Sequence, residues 1–157
     1  MELRTYKLYH GNTLMQWGKA TRVEGAKGFV FIAGCEGQDP TLDPPNFRAG
    51  EKFTPNVVEG AAAQWRMALE KIKSRLEEAG TSLDNIVHMT IYIAGPFPDG
   101  VVNSPNFRPE VMEEFFREHC PKLCDTNNPP TQDLVGVASL ALKEMVVEIG
   151  CIAALPD

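Results

Sequence analysis

The side chains in this chain that can do chemistry are few. From Met145 to Ile152, Met145, Val147, Ile149 and Cys151 alternate as one apolar face, which leaves Glu148 on the other face with Val146 and Ile152. A carboxylate among apolar neighbours is costly unless paired, and burial raises its pKa toward a range useful for moving protons. Glu148 is therefore a candidate acid–base group; the competing readings are a carboxylate paired at a subunit interface or simply hydrated in a cleft. Cys35 follows Gly34 at the end of an apolar run. A thiol there is a nucleophile only if a neighbour lowers its pKa, and no partner base is identifiable, so a small buried side chain is favoured. Arg48 and Arg108 lie on or beside proline-rich loops and are candidate cationic anchors, each also readable as an ordinary surface arginine. His119-Cys120-Pro-Lys-Leu-Cys124 holds half of a zinc clamp, but a closed site wants four ligands. Cys35, Cys151, His10 and His88 stand singly, so no metal is expected.

The elements that must position these groups can be read from periodicity. Gly28 to Cys35 is β-branched and aromatic between glycines and reads as a strand buried on both faces. A long loop rich in Pro, Asp, Asn and Gly follows to Pro55. Val58, Ala61, Ala62, Trp65, Ala68, Leu69, Ile72, Leu76 and Ala79 then recur at helical steps, predicting an amphipathic helix of about six turns. Asn56 with Glu59 resembles a capping box, and Gly80 sits where a left-handed C-terminal cap belongs. Ile86 to Ala94 is a strand with two faces. Val87, Met89, Ile91 and Ile93 should lie against the helix, whereas Ile86, His88, Thr90 and Tyr92 make a mixed face suited to contact with another subunit. Pro109 fits the first turn of a shorter helix that buries Val111, Met112, Phe115 and Phe116. Two strands, roughly 133–140 and 144–154, close the chain, and a hairpin is expected at its start.

Composition bounds the function. The 157 residues are 43% apolar and 23% charged, consistent with one folded domain over residues 1–157. Fifteen basic residues against twenty-one acidic ones give a net charge of −6, which argues against a nucleic-acid backbone as partner. The longest apolar run is far short of the roughly 20 residues of a membrane span, and no secretory signal is evident, so a cytoplasmic protein with reduced thiols is expected.

Strand, long helix, strand, short helix, strand, strand implies an α+β arrangement with the helices on one face of the sheet. Several segments together resemble the Rid (YjgF) family of reactive-intermediate deaminases. They are Gly28-Phe-Val-Phe-Ile-Ala-Gly34, Ala62-Ala-Gln-Trp-Arg-Met-Ala-Leu-Glu-Lys-Ile-Lys73 with Leu76-Glu-Glu-Ala-Gly80, Asp84-Asn-Ile-Val-His-Met-Thr-Ile-Tyr-Ile93, Glu114-Phe-Phe116 and Val147-Glu-Ile-Gly-Cys-Ile-Ala153. The resemblance implies a chorismate-mutase-like mixed sheet carrying two helices on one face. It also implies a homotrimer with ligand clefts between subunits, and hydrolysis of enamines or imines to ketoacids and ammonia with no metal or cofactor. Typical members hold the ligand carboxylate with an arginine fork. Aligning Pro130-Thr-Gln-Asp-Leu-Val-Gly-Val-Ala138 with that pattern puts Gln132 at the arginine position. The family's serine or threonine falls on Ala33, its tyrosine on Ala20, its cysteine on Leu134 and its asparagine on Pro109. Gly34 and Glu148 persist.

Two readings follow. One is a cofactor-independent C–N hydrolase or lyase with a remodelled pocket, Glu148 handling protons and Gln132, Gly34, Cys35 and Arg108 lining the substrate cleft. Its substrate is a small carboxylate-bearing nitrogen compound, an aminomuconate or a hydroxylamino acid for example. The other is a non-catalytic homotrimer that holds a metabolite or a partner protein in the same cleft.

Overall fold

The computed structural model describes residues 1–42, 56–124 and 128–157, without the side chain of Cys124. Strands β1 (Glu2–His10) and β2 (Thr13–Glu24) form an antiparallel hairpin that turns through Gly11 at φ +58°. Strand β3 (Gly28–Glu36), helix α1 (Ala61–Glu78), β4 (Ile86–Ala94), helix α2 (Pro109–His119), β5 (Thr131–Val137) and β6 (Val147–Leu155) follow. The six strands make one mixed sheet in the order β1-β2-β5-β4-β6-β3. β5 runs parallel to β2 and β4, and the remaining pairs are antiparallel.

Alternation along the strands sets the layers. Met89, Ile91 and Ile93 of β4 and Val147, Ile149, Cys151 and Ala153 of β6 face the helices. Trp65, Ala68, Leu69, Ile72 and Leu76 of α1 meet them, joined by Phe115 and Phe116 of α2. Each large apolar side chain buried in this way stabilises by about 1.5–3 kcal/mol. Both helices thus cover one face of an α+β sheet, as the periodicity requires. The Trp65 indole is fully buried and donates to the Asn106 carbonyl at 2.9 Å, a structural role. Among the described residues no helix is long and apolar enough to cross a membrane.

Three expectations need correction. The capping box is not formed: α1 starts after Gly60, and Asn56 instead accepts from Gln38 Nε2 at 2.9 Å beneath the loop. β3 is not buried on both faces, because it is an edge strand whose Phe31 and Phe29 are 75% and 49% exposed. The last two strands begin and end a few residues away from their expected limits, since a turn closed by Met145 N–H to the Leu142 carbonyl separates them. Gly80, at φ +80°, is the left-handed residue after α1, and Pro109 does open α2.

Gln64 lies on the buried side of α1 and was hidden in the apolar count. Its Nε2 donates to the carbonyls of Val58 and Glu144 at 3.2 and 2.8 Å, and its Oε1 accepts from Val146 N–H at 2.9 Å. Three loop groups that the sheet leaves without a ladder partner are satisfied in this way. Gly37 packs so closely on the Gln64 side chain that a methyl there would overlap it. Gln64→Leu keeps the volume but strands these groups, so unfolding in urea should show a loss of about 2–4 kcal/mol. A loss below about 0.5 kcal/mol would show that the network is dispensable.

Candidate functional site

On the sheet face away from the helices, Glu148 and Gly150 of β6, Thr90 and Tyr92 of β4, and Gly34 and Phe31 of β3 border an open cleft of about 300 Å³. Tyr92 is the register partner of Glu148 across β4 and β6. Opposed side chains in such pairs stand about 4.5–5.5 Å apart at Cβ, which brings phenol and carboxylate together. The Glu148 side chain crosses directly over Gly34. A Cβ on Gly34 would overlap the carboxylate oxygen and lie 2.6 and 2.8 Å from Glu148 Cδ and Cγ. Gly34 is thus required by close approach, not by backbone conformation. Half-buried, the Glu148 carboxylate takes no hydrogen bond and no ion pair from the described residues. A carboxylate so placed is available to a ligand, a water or a second copy of the chain.

The strand end beneath it is fastened from the helix side. β3 carries one extra residue against β6 between Ile32 and Cys35, a bulge. Arg75 of α1 donates from Nη1 to the Ala33 and Gly34 carbonyls at 3.3 and 3.4 Å, with Cys35 Sγ at 3.1 Å. Lys71 donates to the Glu36 carbonyl at 3.0 Å and pairs with the largely buried Glu36 carboxylate at 2.8 Å. Glu36 is therefore neutralised on the helix side. The Cys35 thiol is fully buried, and burial pushes it up to about 11 although the Arg75 guanidinium pulls the other way. Cys35 is not an activated nucleophile, and, contrary to expectation, it does not line the cleft.

His88, farther along the open face, is held by hydroxyls. Thr131 Oγ1 donates to the Val87 carbonyl at 3.0 Å, so the Nδ1 of His88, 2.8 Å from the same oxygen, must be the donor to it. Nε2 then faces Thr90 Oγ1 at 3.2 Å and Asp133 Oδ2 at 3.5 Å.

Gln132 is not on this face. It pairs with Met89 in the β4–β5 register, and Met89 is a core residue. Gln132 lines a second cavity, of about 390 Å³, among Gln16 and Trp17 of β2, Phe107, and Glu110, Met112 and Phe116 of α2. The aromatic group there is Trp17, which the count along β2 missed, while Ala20 is exposed. Two register shifts in the β1–β2 pairing make counting along that hairpin unreliable, and an aromatic three residues upstream was the available signal. Arg108 stands beside this cavity but does not line it. Its Nη1 donates to the Phe107 carbonyl at 2.8 Å, and its Nε lies 3.8 Å from Glu110. Asn106, three residues before Pro109, is spent on the Ala94 and Gly95 carbonyls at 2.7 and 2.9 Å. Arg48 lies outside the described residues. Cys120 is buried and donates to Asp84 at 3.2 Å, and among the described residues no group of His, Cys, Asp and Glu is placed to hold a metal.

Two tests follow from this geometry. Gly34→Ala must displace either Glu148 or the β3 bulge, at a cost of about 1–3 kcal/mol in chemical denaturation; unchanged stability would mean that the overlap is relieved freely. Burial raises the thiols of Cys35 to about 11 and of Cys120 and Cys151 to about 12, from an ordinary 9.0. Raised values favour the folded state below pH 9.0, and that contribution is lost as pH climbs through 11 to 12. Denaturation midpoints should therefore fall steeply above about pH 9, and less so in Cys151→Ala.

Comparison with known proteins places this geometry. The family model described as endoribonuclease L-PSP matches residues 12–155. A RutC family protein of Pyrococcus abyssi is 31% identical over 118 residues, covering 74% of this chain and 80% of the relative. Among solved structures, the Rid-family protein YyfB of Yersinia pestis, whose function is unknown, superposes with a TM-score of 0.66 at 20% identity, over 99% of this chain and 100% of the other. TdcF of Escherichia coli, solved with bound serine, gives 0.57 at 25% identity, over 96% and 93%. With a family model spanning nearly the whole described sheet and both helices, the chain belongs to the Ribonuc_L-PSP family, the group of the YjgF, Rid and RutC proteins.

Proposed function

We propose that the chain is a cofactor-independent C–N hydrolase that releases ammonia from a small imine or enamine, in clefts completed between the copies of a homotrimer. Membership of the Rid and RutC group supports deaminase-type chemistry on small molecules in general. The observation that carries the reading is Glu148: a carboxylate without a hydrogen-bond or ion-pair partner among the described residues, seated over a glycine, with a tyrosine across the ladder. Water adds to the carbon of the protonated C=N group while Glu148 accepts a water proton, which it then hands to the amino nitrogen. The resulting ammonium carbinolamine loses ammonia as its hydroxyl proton passes to the regenerated carboxylate, forming the carbonyl, and the carboxyl returns that proton to the departing ammonia. An enamine enters the same route after protonation at carbon. Each step needs one carboxylate of suitable pKa and a shielded cleft.

The exposed Phe29, Phe31 and Val135 border the uncovered sheet, and burial against further copies would shield Glu148 from bulk water. That TdcF holds serine supports a cleft for a small polar metabolite. The net charge of −6 speaks against ribonuclease action, despite the family model's description.

Ammonia release from nitrogen compounds generated in place, both as acids (2-aminoacrylate, aminomuconate and hydroxylamino-acid types) and as the corresponding carboxamides, measures the activity. Glu148→Gln should lower the rate by about 10²–10⁴-fold with the fold intact. Full turnover by Glu148→Gln, or no ammonia from any compound alongside tight metabolite binding, would remove the catalytic role and leave a binding protein.

A further inference from the structure

We propose that the cavity at Gln132 recognises an uncharged, planar amide-type edge on its ligand and discriminates against carboxylates. The inference deepens the reading above and rests on it for the reacting end of the ligand; the recognition itself stands on the cavity.

At about 390 Å³ the cavity is large enough for a small ring or an acylated amine. Among the described residues its lining contains no Lys, Arg or His. The three Lys and Arg residues adjacent in sequence to lining residues are otherwise engaged, Arg108 with the Phe107 carbonyl and Glu110, Arg117 with Glu113 at 2.5 Å, and Lys122 with Asp84 at 3.1 Å. Glu110 and Glu113 stand in the lining and are the ion-pair partners of those two arginines, so the wall offers a ligand no uncompensated charge of either sign. An incoming carboxylate would lose its hydration and find no positive group in exchange, which is unfavourable in a mostly apolar cavity.

The Gln132 amide makes no hydrogen bond to any described residue and is half-buried, so its donor and acceptor are both open to a ligand. A primary amide offers one N–H and one C=O side by side. The group that satisfies both at once has the same pair reversed: a carboxamide, lactam, urea or similar ring edge. A carboxylate can accept the N–H but sets its second oxygen against Oε1. An ammonium or amidinium can donate to Oε1 but opposes the N–H.

Trp17 adds the requirement of planarity. Its ring, braced edge-on by His10 at 6.4 Å between centroids, lines the cavity together with Phe107 and Phe116. Aromatic walls favour flat, weakly hydrated ligands over branched or charged ones. The position that carries an arginine fork in typical members therefore supplies here a complementary neutral pair.

Calorimetric titration with benzamide, benzoate and benzamidinium, three ligands of one shape and three charges, tests this. The intact protein should bind benzamide at least about tenfold more tightly than either ion. Gln132→Arg should reverse the order and make benzoate the best ligand, because the fork matches a carboxylate. Trp17→Ala should weaken benzamide about tenfold and keep the order. If Gln132→Arg fails to fold by circular dichroism, Gln132→Glu takes its place and should favour benzamidinium. Benzoate or benzamidinium binding as well as benzamide in the intact protein, no binding of any of the three, or an order indifferent to residue 132 overturns the proposal. The same titrations in Glu148→Gln separate the two readings. A retained benzamide preference with undiminished turnover sinks the catalytic role of Glu148 and not the recognition. A lost preference in the intact protein sinks the recognition and not the hydrolysis.

Discussion

Side chains on a β-strand alternate between the two faces of the sheet, and a sheet cannot be crossed by what it carries. That constraint governs everything functional in this protein. Glu148 stands on the open face opposite Tyr92, while Gln132 pairs with Met89 on the helix-covered face. Two strands of one copy therefore deliver the candidate proton carrier and the candidate recognition group to opposite sides. In the proposed function another copy sets its helix-side cavity at β5 against the open face at β3 and β6 and so brings them into one cleft. The exposed phenylalanines of β3 lie on that open face.

The helix layer does more than bury the core. Arg75 and Lys71 extend from α1 to the carbonyls of Ala33, Gly34 and Glu36, so the bulged end of β3 is anchored by cations on the side that Glu148 does not occupy. Gln64, about two to three turns earlier on the same helix, fastens the segment that enters β6. The strand that carries Glu148 and its neighbour β3 are thus tied to a single rigid element. A carboxylate whose own strand and next strand are both held by α1 is positioned without a direct partner among the described residues.

What could be read beforehand was whatever obeys a period. The 3.6-residue stripe from Trp65 to Leu76, the split faces of β4 from His88 to Ile93, and the alternation that sets Glu148 apart from Val147 and Ile149 all survive in the structure, whereas Ile86, expected on the mixed face, joins the core ahead of a register shift. So do Gly80 and Pro109, whose backbone preferences act locally. Failures came where tertiary partners override local signals. Asn56 had a plausible cap spacing, but Gln38 gave it a better hydrogen bond. The apolar run of β3 suggested a central strand, yet an edge strand with exposed phenylalanines has the same composition. Gln64 looked like a polar interruption because its partners lie roughly 80 residues away in sequence. Resemblance suggested Gln132 at the arginine position, but only the register of β4 with β5 shows which side of the sheet it occupies. Trp17 was lost to bulges in the first hairpin, which shift the count that alternation depends on.

The central claim, that no single copy owns the pocket, is tested most directly by sedimentation equilibrium run beside turnover on the same dilution series. The account requires a particle three times the 17.3 kDa chain mass, with activity lost in step as dilution or Phe31→Glu separates the copies. A fully active particle of 17.3 kDa would contradict it.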